Sequence, residues 1–311
     1  MHLGTIRTTA GGTRAAVREN EHAASWTLLD AADVGELIAD PGWRERAEAA
    51  LAAAAGAGSG SGSGTGIDAA TVDTETVDAA TALLAAPVLR PAKLVCCGLN
   101  YHDHIVETGR DIPEYPTLFA KFADTITDPL ADIEIEGSAK VDWEAELAVV
   151  VGSRIRRGSK ADAEAAILGY TVANDVSCRD WQARTLQWFQ GKAWDRTTPI
   201  GPAIVTADAI SPKDGLAIRG EIDGETMQES NTRELVFDAA DLVAYVSQFT
   251  ELGPGDIVLT GTPGGVGLGL RPQRWLRDGE TLTTTIEGIG ALSNTMRLTP
   301  PAGAPEGEER S

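Results

Sequence analysis

From Lys93 onward, short apolar runs recur with turn residues between them. The segments KLVCCGLN, AELAVVVG, ILGYTVANDVS, AIVTA, LAIRGEIDGE, DIVLTG and ETLTTTIEGIGALSNTMRL read as strands. Helical patterns are fewer, chiefly SKADAEAAI and DAADLVAYVSQFT. Many short strands with few helices predict a mainly β fold with some α, closed as a sandwich, roll or barrel. The regular strand–helix alternation of a dinucleotide-binding sheet is absent. The first 88 residues read as a small α+β N-terminal domain. Strand-like LGTIRTT, TRAAVRE and SWTLLDA precede the helical stretch DVGELIADPGWRERAEAALAAAA. Within that domain, 56–66 is a Gly/Ser tract with the composition of a flexible surface loop. DTETVDAATALLAAPV is given a helical turn, and Pro87 to Pro91 an extended connection. Residues 89–299 form the expected main domain. The Pro-, Gly- and Glu-rich end, 300–311, reads as disordered.

Charge and cysteines narrow the function. The chain has 311 residues and a formal net charge of −20, against nucleic acid or an anionic membrane as partner. A small molecule is the expected ligand. Its three cysteines, Cys96, Cys97 and Cys178, form no CxxC pair and no disulfide framework, so a reducing cytoplasm is the expected setting. No apolar run approaches the roughly 20 residues of a membrane-spanning helix.

The stretch VDWEAELAVVVG carries Asp142, Glu144 and Glu146 at alternate positions, which a strand places on one face. Three readings are open: a polar face in water, an acid/base pair for glycoside hydrolysis, or a hard-metal site. A metal needs further ligands, and Asp175 ends the next apolar segment. Carboxylate oxygens suit Mg²⁺, Mn²⁺ or Ca²⁺, whereas zinc would call for His or Cys ligands. Asp142, nearer the strand's start, is expected to be peripheral.

In GLNYHDHIVETGRDIPEYP, Glu107 follows His104 by three residues. One helical turn puts the pair on a shared face, where the carboxylate orients the imidazole as a general base. The alternative is a surface histidine near a glutamate. Lys192 lies among apolar residues, as an oxyanion donor or a snorkelling surface lysine. LTGTPGGVGLGL lacks the Lys-Ser/Thr ending of a phosphate loop. It reads as a strand running into a Gly-rich turn whose N–H groups, with Thr262, could hold a carboxylate.

In this order, GLNYHDHIVE, VDWEAELAVVVG, GYTVANDVSCRDWQ, GKAWDRTTPIGP, PGDIVLTGTPGGVG and IEGIGALSNTM resemble the fumarylacetoacetate hydrolase family, in its acylpyruvase and 2-hydroxyhepta-2,4-diene-1,7-dioate isomerase-like branch. The resemblance implies a mixed β-sandwich roll, a homodimer, and Mg²⁺ or Mn²⁺ in the site, with Ca²⁺ as a stand-in in crystals. It implies Glu144, Glu146 and Asp175 as metal ligands and His104 with Glu107 as the proton-transfer dyad. Lys192 and Gln182 would face the substrate carbonyl. Arg179, Thr262 and Tyr101 would contact substrate.

The implied reaction is metal-dependent C–C hydrolysis of a 1,3-dicarbonyl or acylpyruvate-type 2-oxo acid, as in aromatic catabolism. Decarboxylation or enol–keto isomerisation of a 2-oxo diacid needs the same metal but no attacking water. The dyad tilts the expectation toward hydrolysis. A non-catalytic metal-binding protein is a further alternative. Arg110, Arg184 and the Trp188–Phe189 pair are candidates for contact with the acyl group.

Overall fold

The computed structural model describes residues 1–57, 75–102 and 111–301. Most of the chain is β. One large sheet runs in the order Thr76–Asp78, Ser25–Leu28, Thr13–Arg18, His2–Arg7, Thr198–Thr206, Ile167–Asn174, Ala145–Val151, Ile257–Leu259, Leu94–Gly98, Thr117–Lys121. Its pairings along that path are antiparallel except between Ile257–Leu259 and Leu94–Gly98. A second sheet runs Glu225–Asn231, Ala217–Ile222, Thr281–Ile286, Gly290–Thr299, Ile133–Glu136.

Strand Ala145–Val151 shows why the large sheet is covered on both faces. All seven of its residues are buried. Ala145, Leu147, Val149 and Val151 join a core with Ile218, Ile286 and Leu292 of the second sheet and with Leu242, Val243 and Val246 of helix Ala239–Phe249. Ala148 and Val150, on the opposite face, pack with Val34, Leu37 and Ile38 of helix Val34–Ala39 and with Trp43, Ala47 and Ala50 of helix Trp43–Ala57. Each fully buried Val or Leu contributes roughly 1.5–3 kcal/mol of transfer free energy, so both coverings matter. The N-terminal segment is thus part of the sandwich. Its first strand pairs with Thr198–Thr206, His2 opposite Val205.

Local chemistry explains the helix starts. Asp238 caps Ala239–Phe249 and Ser159 caps Lys160–Ala166, each in a reciprocal capping box. Asp40-Pro41 divides the predicted N-terminal helix in two. The helical turn expected after residue 75 is replaced by strands Thr76–Asp78 and Leu84–Ala85, which pair with Ser25–Leu28 and His2–Arg7. The Gly/Ser tract from 58 and the C-terminal segment from 302 lie outside the described residues. No helix among the described residues is long and apolar enough to cross a membrane.

Candidate active site

VDWEAELAVVVG is two strands rather than one. Val141–Asp142 pairs with Ser177–Cys178, and Ala145–Val151 pairs with Ile167–Asn174. Side chains satisfy the backbone at the break between them. Asn174 Oδ1 accepts from the Glu144 N–H at 3.0 Å, and Gln228 Oε1 accepts from the Ala145 N–H at 3.0 Å. The Asp175 N–H donates to the Glu144 carbonyl at 2.9 Å, which fixes one acid beside the other. Glu144, Glu146 and Asp175 therefore converge, each offering an oxygen within 4.8 Å of the others.

Three cations enter this cluster. Lys192 Nζ donates to Glu144 Oε2 at 2.6 Å and to Asp175 Oδ2 at 2.8 Å. Lys121 Nζ donates to Asp175 Oδ1 at 2.5 Å, both side chains being 0% exposed. Arg179 Nη2 donates to Glu144 Oε1 at 2.6 Å and its Nε to Asp142 Oδ2 at 2.7 Å. Burial alone would neutralise such groups, but partners win. Burial acts to raise the Asp175 pKa, yet the Lys121 and Lys192 ammoniums outweigh it and hold the carboxyl below its usual value. Burial likewise disfavours the charged Lys192, and Asp175 and Glu144 overcome it to raise the ammonium's pKa.

Glu146 is the exception. It is 1% exposed, and its Oε2 accepts the Gly261 N–H at 2.7 Å. Among the described residues no Lys or Arg forms an ion pair with it. Burial first, then Asp175 and Glu144, push its pKa well above the usual carboxylate range. Counting Asp142, four carboxylates meet three cations, an excess of one negative charge. A buried carboxylate in that position calls for a cation or a proton. All-oxygen donors with a local negative excess fit a hard divalent ion such as Mg²⁺ or Mn²⁺.

The cluster opens into a cavity of about 550 Å³. Glu144, Glu146, Arg179, Gln182, Lys192 and Thr262 line it. Gln182 Oε1 accepts from Arg179 Nη1 at 2.9 Å, and Thr262 Oγ1 accepts from Gln228 Nε2 at 2.8 Å. Cys97 is on the wall too, but burial and then Glu146 push its thiol up to about 12, so it stays protonated. Tyr101 is fully buried in a bridge to Leu235 and does not line this cavity. Trp188 lines the wall, stacked edge-on against Phe119 with centroids 5.6 Å apart. Arg184 instead lies 3.4 Å over the Trp181 ring. His104, Glu107 and Arg110 fall outside the described residues.

Two residues escaped the reading of the sequence. Lys121 ends an ordinary-looking strand, TLFAK, with no motif to mark it. Asp142, expected at the periphery, is fully buried. Besides the Arg179 guanidinium, it accepts the N–H groups of Trp143 at 2.9 Å, Gly267 at 2.7 Å and Leu268 at 3.1 Å. The Gly-rich turn thus does hold carboxylates, and those it visibly holds are the protein's own Glu146 and Asp142. Glycine is required for this: Gly261 has φ +97°, and a Cβ there would meet the Cys97 carbonyl at 2.9 Å.

Residues 93–297 match the family model of the fumarylacetoacetate hydrolase C-terminal domain. The chain is 45% identical over 216 residues to the mitochondrial oxaloacetate tautomerase fahd2 of Xenopus laevis, covering 68% of each chain. A solved structure of 5-carboxymethyl-2-hydroxymuconate delta-isomerase from Mycobacterium smegmatis is similar at TM-score 0.74 and 31% identity, over 96% of this chain and all of that one (100%). Fumarylacetoacetate hydrolase from Exiguobacterium antarcticum is similar at TM-score 0.77 and 29% identity, over 96% and 99%. A converging carboxylate site on a mixed β-sandwich, matched through two-thirds of its length, makes this chain an enzyme of the fumarylacetoacetate hydrolase family.

Proposed function

We propose that this enzyme interconverts the enol and keto forms of a 2-oxo dicarboxylic acid of the oxaloacetate type. The observation that carries the reading is the buried Glu144–Glu146–Asp175 cluster with Lys192 bridging two of its members. The 45% identity to an oxaloacetate tautomerase supports the substrate class. Mg²⁺ or Mn²⁺ is the proposed ion, and a homodimer in the cytoplasm the proposed working state.

A divalent ion held by the three carboxylates supplies Lewis acidity toward the oxygens of a 2-oxo acid. The chain's own groups do the rest. Lys192 stays an ammonium because Asp175 and Glu144 hold its proton, so it can donate to negative charge developing on the 2-oxo oxygen. Arg179, raised in pKa against the pull of burial by Asp142 and Glu144, locks Glu144 and Gln182 in place. Gln182 accepts through its carbonyl oxygen, which leaves its amide N–H groups to donate to substrate. His104, oriented by Glu107, is the proposed proton carrier, moving a proton between C3 and the 2-oxo oxygen in either direction.

The His104-x-x-Glu107 spacing also favours a second reading, C–C hydrolysis of an acylpyruvate with His104 taking its proton from water. One experiment separates them. The enzyme with Mg²⁺ or Mn²⁺ is given enol oxaloacetate, followed by ultraviolet absorbance, and acylpyruvates, followed by release of pyruvate. Accelerated enol decay without pyruvate release is expected, lost with chelator and in Glu144→Ala. Cleavage of acylpyruvates with no effect on the enol would replace the first reading by the second. Activity toward neither would reject both.

A further inference from the structure

The cavity wall carries three cations among the described residues: Arg179, Lys192 and Arg271. The first two are committed to carboxylates of the protein. Arg271 has no carboxylate within ion-pair distance among the described residues. Its Nη1 donates instead to three carbonyls of its own turn, Leu268 at 3.2 Å, Gly269 at 3.3 Å and Leu270 at 2.8 Å. That leaves Nε and Nη2, the edge a carboxylate engages with two parallel hydrogen bonds.

The turn is itself anchored. Asp142 holds it by the N–H groups of Gly267 and Leu268, and Gln273 Nε2 donates to the Leu268 carbonyl at 3.2 Å. A Cβ on Gly267 would collide with the Arg274 carbonyl and press on Asp142 Oδ1, so the turn approaches the buried acid only because this residue is glycine. A chain of contacts therefore runs from Asp142, beside the carboxylate cluster, through the turn to the guanidinium. Arg271 is pre-ordered although its side chain is exposed, which reduces the entropy lost when a ligand engages it.

We infer that Arg271 receives the distal carboxylate of the substrate, and that this contact makes the site select 2-oxo diacids over 2-oxo monoacids. The inference rests on the reading of the site as one for 2-oxo acids. The 2-oxo acid head has its place at the carboxylate cluster and Lys192. A second carboxylate at the far end of the molecule then needs a cation that no acid of the cavity already occupies. Leu186, Trp188 and Leu268 on the same wall offer none.

The test compares two five-carbon ligands sharing one head, 2-oxopentanedioate and 2-oxopentanoate, by titration calorimetry on the full chain with Mg²⁺. Wild type is expected to bind the diacid at least about tenfold more tightly, the scale of a charge-assisted hydrogen bond. Arg271→Leu should bring the two within about twofold while leaving monoacid affinity unchanged. Arg271→Lys should retain part of the preference, and the preference should weaken with added salt. Unchanged preference in Arg271→Leu, or none in wild type, overturns the inference. An Arg271-dependent preference in a protein that accelerates no enol–keto exchange upholds the arginine's role and overturns the proposed reaction. Exchange without preference does the reverse.

Discussion

The large sheet buries ionisable side chains in two places, and it treats them in opposite ways. At the carboxylate cluster, here called the ledge, Asp175 and Lys192 keep their charges although both are almost wholly enclosed, Asp175 through Lys121 and Lys192 and Lys192 through Asp175 and Glu144. At the N-terminal edge, His2 lies opposite Arg18, and among the described residues no acid pairs with it. Burial, then Arg18 and the chain's amino group, lower its pKa to about 4, so it stays neutral. Arg18, stacked 4.5 Å over the Trp26 ring, is itself lowered by burial, which outweighs the pull of Glu21. Burial opposes the charge in both places, and the outcome differs. What decides is whether the fold delivers a counter-charge along with the charge.

The largest expected effect comes from breaking the paired region. Asp175→Asn leaves two buried ammoniums without their shared acid and should cost about 3–5 kcal/mol, read as the midpoint of urea unfolding. Mn²⁺ binding, followed by calorimetry, should disappear with it. A variant as stable as wild type would show that the pairing does not hold the ledge together.

The next effect belongs to the unpaired region. His2 is neutral in the fold but takes a proton in the unfolded chain below pH 6.5, so stability present above that pH is lost as pH falls toward about 4. The loss attributable to His2 is on the order of 2–3 kcal/mol. His2→Gln should show a correspondingly shallower decline in unfolding free energy across that window. Parallel curves for the two proteins would assign the acid sensitivity elsewhere.

The smallest stability effect is expected where the ledge itself lacks a counter-charge. Glu146→Gln removes a carboxylate that burial and two neighbouring acids oppose, so metal-free stability at neutral pH should stay level or rise by about 1 kcal/mol. Metal affinity should nevertheless fall at least about tenfold, one hard ligand being lost. Two acids of one cluster would then respond to neutralisation with opposite signs in thermal unfolding, while sharing the loss of Mn²⁺. Destabilisation of Glu146→Gln to the level of Asp175→Asn would erase that distinction.

Much of this was legible in the chain. Short apolar runs between turn residues announce a β-rich fold, and the alternation Glu144-x-Glu146 followed by Asp175 at a strand end brings the three carboxylates together. Lys121 was not legible, because a lysine at a strand end reads as an ordinary solvated charge until the pairing of Thr117–Lys121 with Leu94–Gly98 places it in the interior. Asp142 was misplaced because alternation treats VDWEAEL as one strand. The break at Trp143 and Glu144, stabilised by Asn174 and Gln228 from other strands, sends this acid to the Gly-rich turn. Periodicity describes a strand's faces; it does not name the partner strand. The union of His2–Arg7 with Thr198–Thr206 is of that kind.

That last pairing has a temporal side. The Met1 carbonyl accepts from Thr206, 205 positions along the chain. At about 5–20 residues per second, a ribosome takes roughly 10–40 s to make the intervening segment. Through that interval the His2–Leu3 end of the nascent hairpin His2–Arg7/Thr13–Arg18 keeps an open edge, the kind that recruits chaperones or neighbouring nascent chains. The high contact order of this one seam leaves the start of strand His2–Arg7 among the last pairings to be secured.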